Sequence, residues 1–153
     1  MATVASRRRR RPGRSRGAAL VEFGIVAPLL LLLLFGVIEF GYGFLQFLDV
    51  RHGARETGRL AAVNFQPSTA TGVTQTNEII DEGCARIDTE AGVTMALSHP
   101  AGSAIGQTAT IEVSRNYSSL TGFFDFVSID MDSSVEVRLE QPATWSNSTR
   151  ACP

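Results

Sequence analysis

The hydrophobic pattern changes character twice along the chain. Residues 18–48 are apolar almost without a break, and their only formal charges before Asp49 are Glu22 and Glu39. The uncharged run 23–38 includes leucine at every position from 29 to 34. A helix needs about 20 apolar residues to cross hydrocarbon, so the stretch from Ala18 to about Glu39 suffices, with Glu39 near one interface. Phe40, Tyr42, Phe44 and Phe47 then fall at or just past that interface, where aromatic rings are favoured. Helical spacing continues through "DVRHGARETGRLAAV", residues 49–63. There Ala54, Gly58 and Ala62 recur every four residues and form a small-residue stripe that permits close packing. Arg51, Arg55 and Arg59 make a second stripe at the same spacing, read as a solvated face on which Glu56 serves Arg59.

Residues 64–76, "NFQPSTATGVTQT", are polar with Pro and Gly and read as a linker. In "NEIIDEGCARIDTEAG" (77–92), Asn77 is an N-cap candidate and Gly92 a stop. Ile80, Cys84 and Ile87 there share one helical face. Beyond Gly92 a period of two takes over. Residues 93–97 are a short strand candidate. In 107–117, Ala109, Ile111 and Val113 face one way, and in 127–140 the alternating set is Val127, Ile129, Met131, Val135, Val137 and Leu139. The expected fold class is α+β: a long N-terminal transmembrane helix, then a small extracytoplasmic domain with one short helix on an antiparallel sheet. The organisation expected is a basic leader at 1–17, a transmembrane and extended helix at 18–63, and the small domain at 64–153.

Charge sharpens this picture. Seven of the 14 basic residues stand at positions 7–11, 14 and 16, and all 14 are arginine. Residues 18–153 keep seven arginines against 15 acidic residues, a net charge of −8. Arginine runs also neutralise nucleic-acid phosphates, but no aromatic stacking residue interleaves these. A basic flank directly before an apolar run keeps that end cytoplasmic. The localisation expected is therefore the cytoplasmic (inner) membrane, single-pass, N-terminus inside and C-terminal domain outside. The apolar core exceeds that of a secretory signal, and no A-x-A cleavage pattern follows it. Cys84 and Cys152 fit one disulfide, because this topology places the body in an oxidising compartment.

Candidate chemistry is sparse. Cys84, Cys152, His52 and His99 lack paired metal-ligand spacing. Neither a phosphate-binding glycine loop nor a nucleophile elbow is present. The expectation is a protein that is not an enzyme, with no cofactor, no metal, no small-molecule substrate and no nucleic-acid partner.

Two residues inside the apolar run stand out. Pro28 leaves the Gly24 carbonyl without its helical donor, which loosens a turn or produces a tolerated kink. Glu22 is a carboxylate whose bare charge in lipid costs a few kcal/mol, about 3. Were the chain cut between Gly17 and Ala18, Ala18 would gain an α-amino group, mostly protonated at neutral pH. That amine lies four residues, one helical turn, from Glu22. The cut would remove seven positive charges and create one counter-charge for Glu22. The amine of a neighbouring copy could serve as well.

Gly17, four intervening residues, Glu22 and then an aromatic resemble the prepilin-peptidase site of type IV pilin-like proteins of the Tad (tight adherence) branch. The stem "RGAALVEFGIVAPLLLLLLFGVIEFGYGF" followed by "ARETGRLAAV" resembles the TadE-like pseudopilins. The resemblance covers about residues 14–66, and "TIEVSRNYSSLTGFF" and "SSVEVRLEQP" resemble that family's body more loosely. It implies that Gly17 precedes a cut, Ala18 becomes the N-terminus, and Glu22 is needed for processing or subunit packing. It implies prepilin peptidase, other pilin or pseudopilin subunits and the pilus assembly machinery as partners, with or without incorporation into a surface pilus. Phe23 departs from the tyrosine usual at Flp-type sites, keeping the ring and losing the hydroxyl. Pro28, Glu39, Ala54, Gly58 and Ala62 are the candidate helix-packing positions. The alternative reading is an uncleaved bitopic membrane protein whose outer domain binds a ligand or partner.

Overall fold

The computed structural model describes residues 14–88 and 92–153. The arginines at 7–11 lie outside the described residues. Helix α1 spans Arg14–Ala62 and runs through Pro28 without interruption. Helix α2 (Val73–Cys84) and strands β1 (Val93–Ser98), β2 (Thr108–Asn116), β3 (Asp130–Arg138) and β4 (Ser148–Ala151) follow. The architecture is α+β, with a four-stranded antiparallel sheet in the order β3-β2-β1-β4. The chain divides into two compact units, one ending at Ile38 and the other running from Glu39 to Pro153.

In the first unit α1 carries its apolar side chains uncovered. Leu20, Phe23, Ile25, Leu29, Leu33 and Val37 are each more than 60% exposed. Among the described residues, this is the one helix long and apolar enough to cross a membrane. Bare apolar surface of this extent calls for lipid or other helices to cover it.

The second unit begins with the C-terminal half of α1. Its buried positions (Glu39, Gln46, Val50, Gly53, Ala54, Thr57, Gly58, Ala61, Ala62) follow helical spacing and make one stripe. That stripe packs on the inner face of the sheet. A side chain at Gly58 would meet Val137 Cγ1 at 3.0 Å, and one at Gly53 would meet Ile87 Cγ1 at 2.8 Å. The absent Cβ atoms are what let α1 approach the sheet at Gly58 and the segment after α2 at Gly53 so closely. Ala54, Ile79, Ile80, Met95, Leu97, Ile111, Val113 and Trp145 share the core. Residues with even numbers on β1 and β2, such as Thr94, Glu112 and Ser114, take the other, more polar face, as a period of two requires.

Helix ends explain where the elements stop. α1 closes at Asn64, whose φ of 53° is left-handed. Asn64 N–H donates to the Ala61 carbonyl at 3.1 Å and Phe65 N–H to the Leu60 carbonyl at 2.9 Å, which satisfies the last turn. α2 starts at Val73, four positions before the expected Asn77, so residues 73–76 are helix and not linker. Gly72, at φ 66°, turns the chain into α2 and donates its N–H to the Thr144 carbonyl at 2.8 Å. Thr76 then hydrogen-bonds the Ser146 carbonyl and is buried with Gln75, so these polar residues face inward with partners. α2 ends at Cys84, short of Gly92.

β3 begins at Asp130, later than the alternation from Val127 suggested, because residues 127–129 belong to the preceding loop. β4 pairs with β1 at the opposite edge from β3, with Thr94 opposite Ala151 and Leu97 opposite Ser148. Immediately after β4, Cys152 forms the disulfide with Cys84 of α2, Cα atoms 5.7 Å apart. Arg150 adds an ion pair to Asp81 of α2 at 2.9 Å. The C-terminal end of the chain is thereby fastened to α2.

Candidate functional site

The residues singled out in sequence separate into two groups. Gly17, Ala18, Glu22 and Phe23 all lie on the N-terminal part of α1 and are exposed. A Cβ at Gly17 would meet nothing within 4 Å. Glu22 stands one helical turn beyond Ala18 and has no hydrogen-bond or ion-pair partner among the described residues. Gly17 and Glu22 are thus both accessible on α1. Pro28 is also in this apolar stretch, with Leu29 and Leu33 exposed nearby.

Glu39 has the opposite environment, although it too is a carboxylate in α1. It is only 5% exposed. Its Oε1 accepts from the Tyr117 hydroxyl and from the Leu120 N–H at 2.9 Å. Its Oε2 accepts from the Thr121 N–H at 3.3 Å and the Thr121 hydroxyl at 2.9 Å. Four donors around one carboxylate make a well-satisfied buried charge, the arrangement that burial demands. Two turns further along the helix, Gln46 makes a reciprocal pair with Ser118. Its Nε2 donates to the Ser118 carbonyl at 2.8 Å and its Oε1 accepts the Ser118 N–H at 3.2 Å. The β2–β3 loop is therefore strapped to α1 at two points.

Burial pushes the Tyr117 hydroxyl up to about 12, and the neighbouring Glu39 carboxylate, which accepts its proton in a hydrogen bond, acts in the same direction. The ring of Tyr117 lies where a side chain at Gly43 would be, 3.1 Å from that position, so a glycine there admits the clamp. Neither Tyr117 nor Gln46 stood out in sequence. Their partners are more than 70 positions away, and the only local hint was the donor-rich run "YSSLTG" ahead of three phenylalanines.

Ala54, Gly58 and Ala62, the small-residue stripe, are buried within the second unit against its own sheet and core. Of the arginine stripe, Arg59 meets Glu56 at 3.5 Å while remaining 82% exposed, a pair of little energetic weight. Arg51 lies 5.7 Å from the Phe47 ring. Glu56 also bonds Arg86 at 3.0 Å, which joins α1 to the segment after α2. Among the described residues, no group of three or more His, Cys, Asp or Glu side chains could hold a metal ion.

Residues 17–59 match the family model described as TadE-like protein. The match starts at Gly17 and takes in the apolar run, Glu22, Glu39 and the greater part of the buried stripe of α1. Over that segment the chain is similar to TadE-like proteins. Neither a curated protein nor a solved structure matches the chain.

Proposed function

We propose that the chain is a minor pilin or pseudopilin of a Tad-type pilus assembly system. In this reading α1 inserts with its N-terminus in the cytoplasm, and a prepilin peptidase cuts between Gly17 and Ala18. The cut chain joins other pilin helices side by side through the 18–38 surface, supporting pilus biogenesis and adherence. Its part is structural and not catalytic.

The observation that carries this reading is the coincidence of two boundaries. The family match begins at Gly17, and Glu22 stands one turn beyond Ala18, exposed and unpartnered among the described residues on an otherwise apolar surface. A carboxylate in that setting has a physical use once a neighbouring amine exists. The pair is then neutral overall, and packing between helices shields it from lipid. The pairing is available within one chain, Ala18 to Glu22, or between adjacent copies.

The test is Glu22→Ala in the native host. Membrane insertion should be unchanged, because the substitution makes the run more apolar. Processing of the leader or pilus assembly should fall sharply, read by immunoblot mobility and by counts of surface pili. Normal processing together with normal piliation in this variant would end the reading.

A further inference from the structure

The β2–β3 loop, residues 117–129, has an apolar surface that the fold does not use. Leu120 and Phe123 are each 57% exposed and Phe126 is 81% exposed. Yet the loop is built, not slack. Tyr117 N–H donates to the Ile129 carbonyl at 2.8 Å and closes its ends, and Val127 N–H donates to the Phe124 carbonyl at 2.9 Å. Gly122 turns the chain at φ 72° and donates its N–H to Ser119 Oγ at 3.0 Å. The rings of Phe123 and Phe124 meet edge-on with centroids 5.3 Å apart, and Phe126 lies 6.1 Å from Phe124.

The clamp described above sets where this surface lies along α1. Leu120 and Thr121 are bonded directly to Glu39. Glu39 is also the residue at which the uncharged run 23–38 ends. The loop is therefore held at the level of α1 where the uncharged apolar run ends. On α1 itself the next exposed large apolar side chains, Phe40 and Phe44, are aromatic too. Aromatic and large aliphatic side chains at that level are what a bilayer interface favours. The backbone N–H groups of Leu120, Thr121, Gly122 and Phe123 are all engaged, which lowers the cost of bringing the loop out of water. The loop contains no basic residue, and Asp125 is its one formal charge, so attraction to anionic headgroups is not the driving force.

We propose that the 117–129 loop is a second membrane contact. Leu120, Phe123 and Phe126 enter the outer interface of the bilayer that α1 spans and hold the small domain down on the lipid surface. This rests on α1 spanning the membrane, and the test separates the two claims. The full-length protein, disulfide intact, is reconstituted dilute in phosphatidylcholine vesicles. Single cysteines at Leu33, Phe126 and Thr149 carry a nitroxide spin label, and collision with oxygen is compared with collision with a water-soluble nickel chelate. All three positions are exposed, so the label does not disturb the core.

The label at 126 should show an oxygen-to-nickel accessibility ratio severalfold above that at 149 and close to that at 33. Replacing part of the phosphatidylcholine by an anionic lipid, or raising the salt, should leave it unchanged. A water-like ratio at 126 with a lipid-like ratio at 33 overturns the loop contact alone. A water-like ratio at 33 overturns the spanning reading and the loop contact with it. A label at 126 that is shielded only when the protein is concentrated in the bilayer assigns the surface to a second copy and overturns the lipid assignment.

Discussion

Replacing Glu39 with alanine removes the acceptor of four hydrogen bonds at once, from the Tyr117 hydroxyl, the Leu120 N–H, and the N–H and hydroxyl of Thr121. Hydrogen bonds to a charged group contribute about 1.5–3 kcal/mol each, but the four do not simply add. Leu120 and Thr121 are exposed, so water takes over much of their pairing in the variant. The desolvation cost of the carboxylate is also relieved. A net local loss of about 3 kcal/mol is the reasonable figure, close to a 100-fold rise in loop opening. The assay is amide hydrogen exchange on the full chain in detergent micelles. Leu120 and Thr121 should lose about 100-fold in protection, while amides of β1 and β2, whose contacts lie elsewhere, stay as they were.

A titration accompanies the exchange measurement. Tyr117 is held at about 12, against an ordinary 10, by burial first and by Glu39 second. Because the folded form keeps the phenol protonated, the stability it supplies is fully present below about pH 10 and is lost as the pH climbs through about 12. Ultraviolet titration in a Tyr42→Phe background follows Tyr117 alone, since these are the chain's two tyrosines. Glu39→Gln should bring the midpoint part of the way back toward 10 and no further, because burial remains. Unchanged amide protection in Glu39→Ala, or an unmoved midpoint in Glu39→Gln, would refute the clamp.

Two further perturbations probe the small domain. Reducing the Cys84–Cys152 disulfide opens a closure across a sequence separation of 68 and should cost up to about 4 kcal/mol on the chain-entropy estimate. The midpoint of chemical unfolding should therefore drop markedly in reductant, and an unmoved midpoint would contradict that estimate. Gly83→Ala places a Cβ onto Thr57 Oγ1 and within 3.1 Å of Thr57 Cβ, so about 1–3 kcal/mol of overpacking cost is expected. Thermal unfolding should show the loss, and Thr57→Ala in the same chain should recover part of it.

Periodicity makes most of the fold readable in the sequence. The apolar run and the helical spacing of Ala54, Gly58 and Ala62 announce α1, and the alternation of Ala109, Ile111 and Val113 announces β2. Two kinds of feature escaped. One is structure imposed by partners: β4 is a short polar segment, "STRA", with no signal of its own, and it is a strand because β1 and the adjacent Cys152 hold it there. α2 begins early for a similar reason, since Gln75 and Thr76 find polar partners inside the fold that their sequence neighbours do not supply. The other is contact across long separations. Ala54 and Gly58 read as a surface for approaching helices, and small residues serve a sheet of the same chain equally well. Glu39 read as a charge near an interface, and its four donors lie 78 to 82 positions away. Glu22 was legible in a different sense. It stood out because lipid disfavours it, and the structure leaves it exposed at the start of the segment similar to TadE-like proteins.

The central claim is that Glu22 acquires its partner by a cut at the preceding glycine. The most direct measurement is the intact mass and N-terminal sequence of the protein extracted from the membranes of its native cells. The chain should start at Ala18, with all seven leader arginines gone. A membrane-embedded chain that still begins with the arginine block would contradict it.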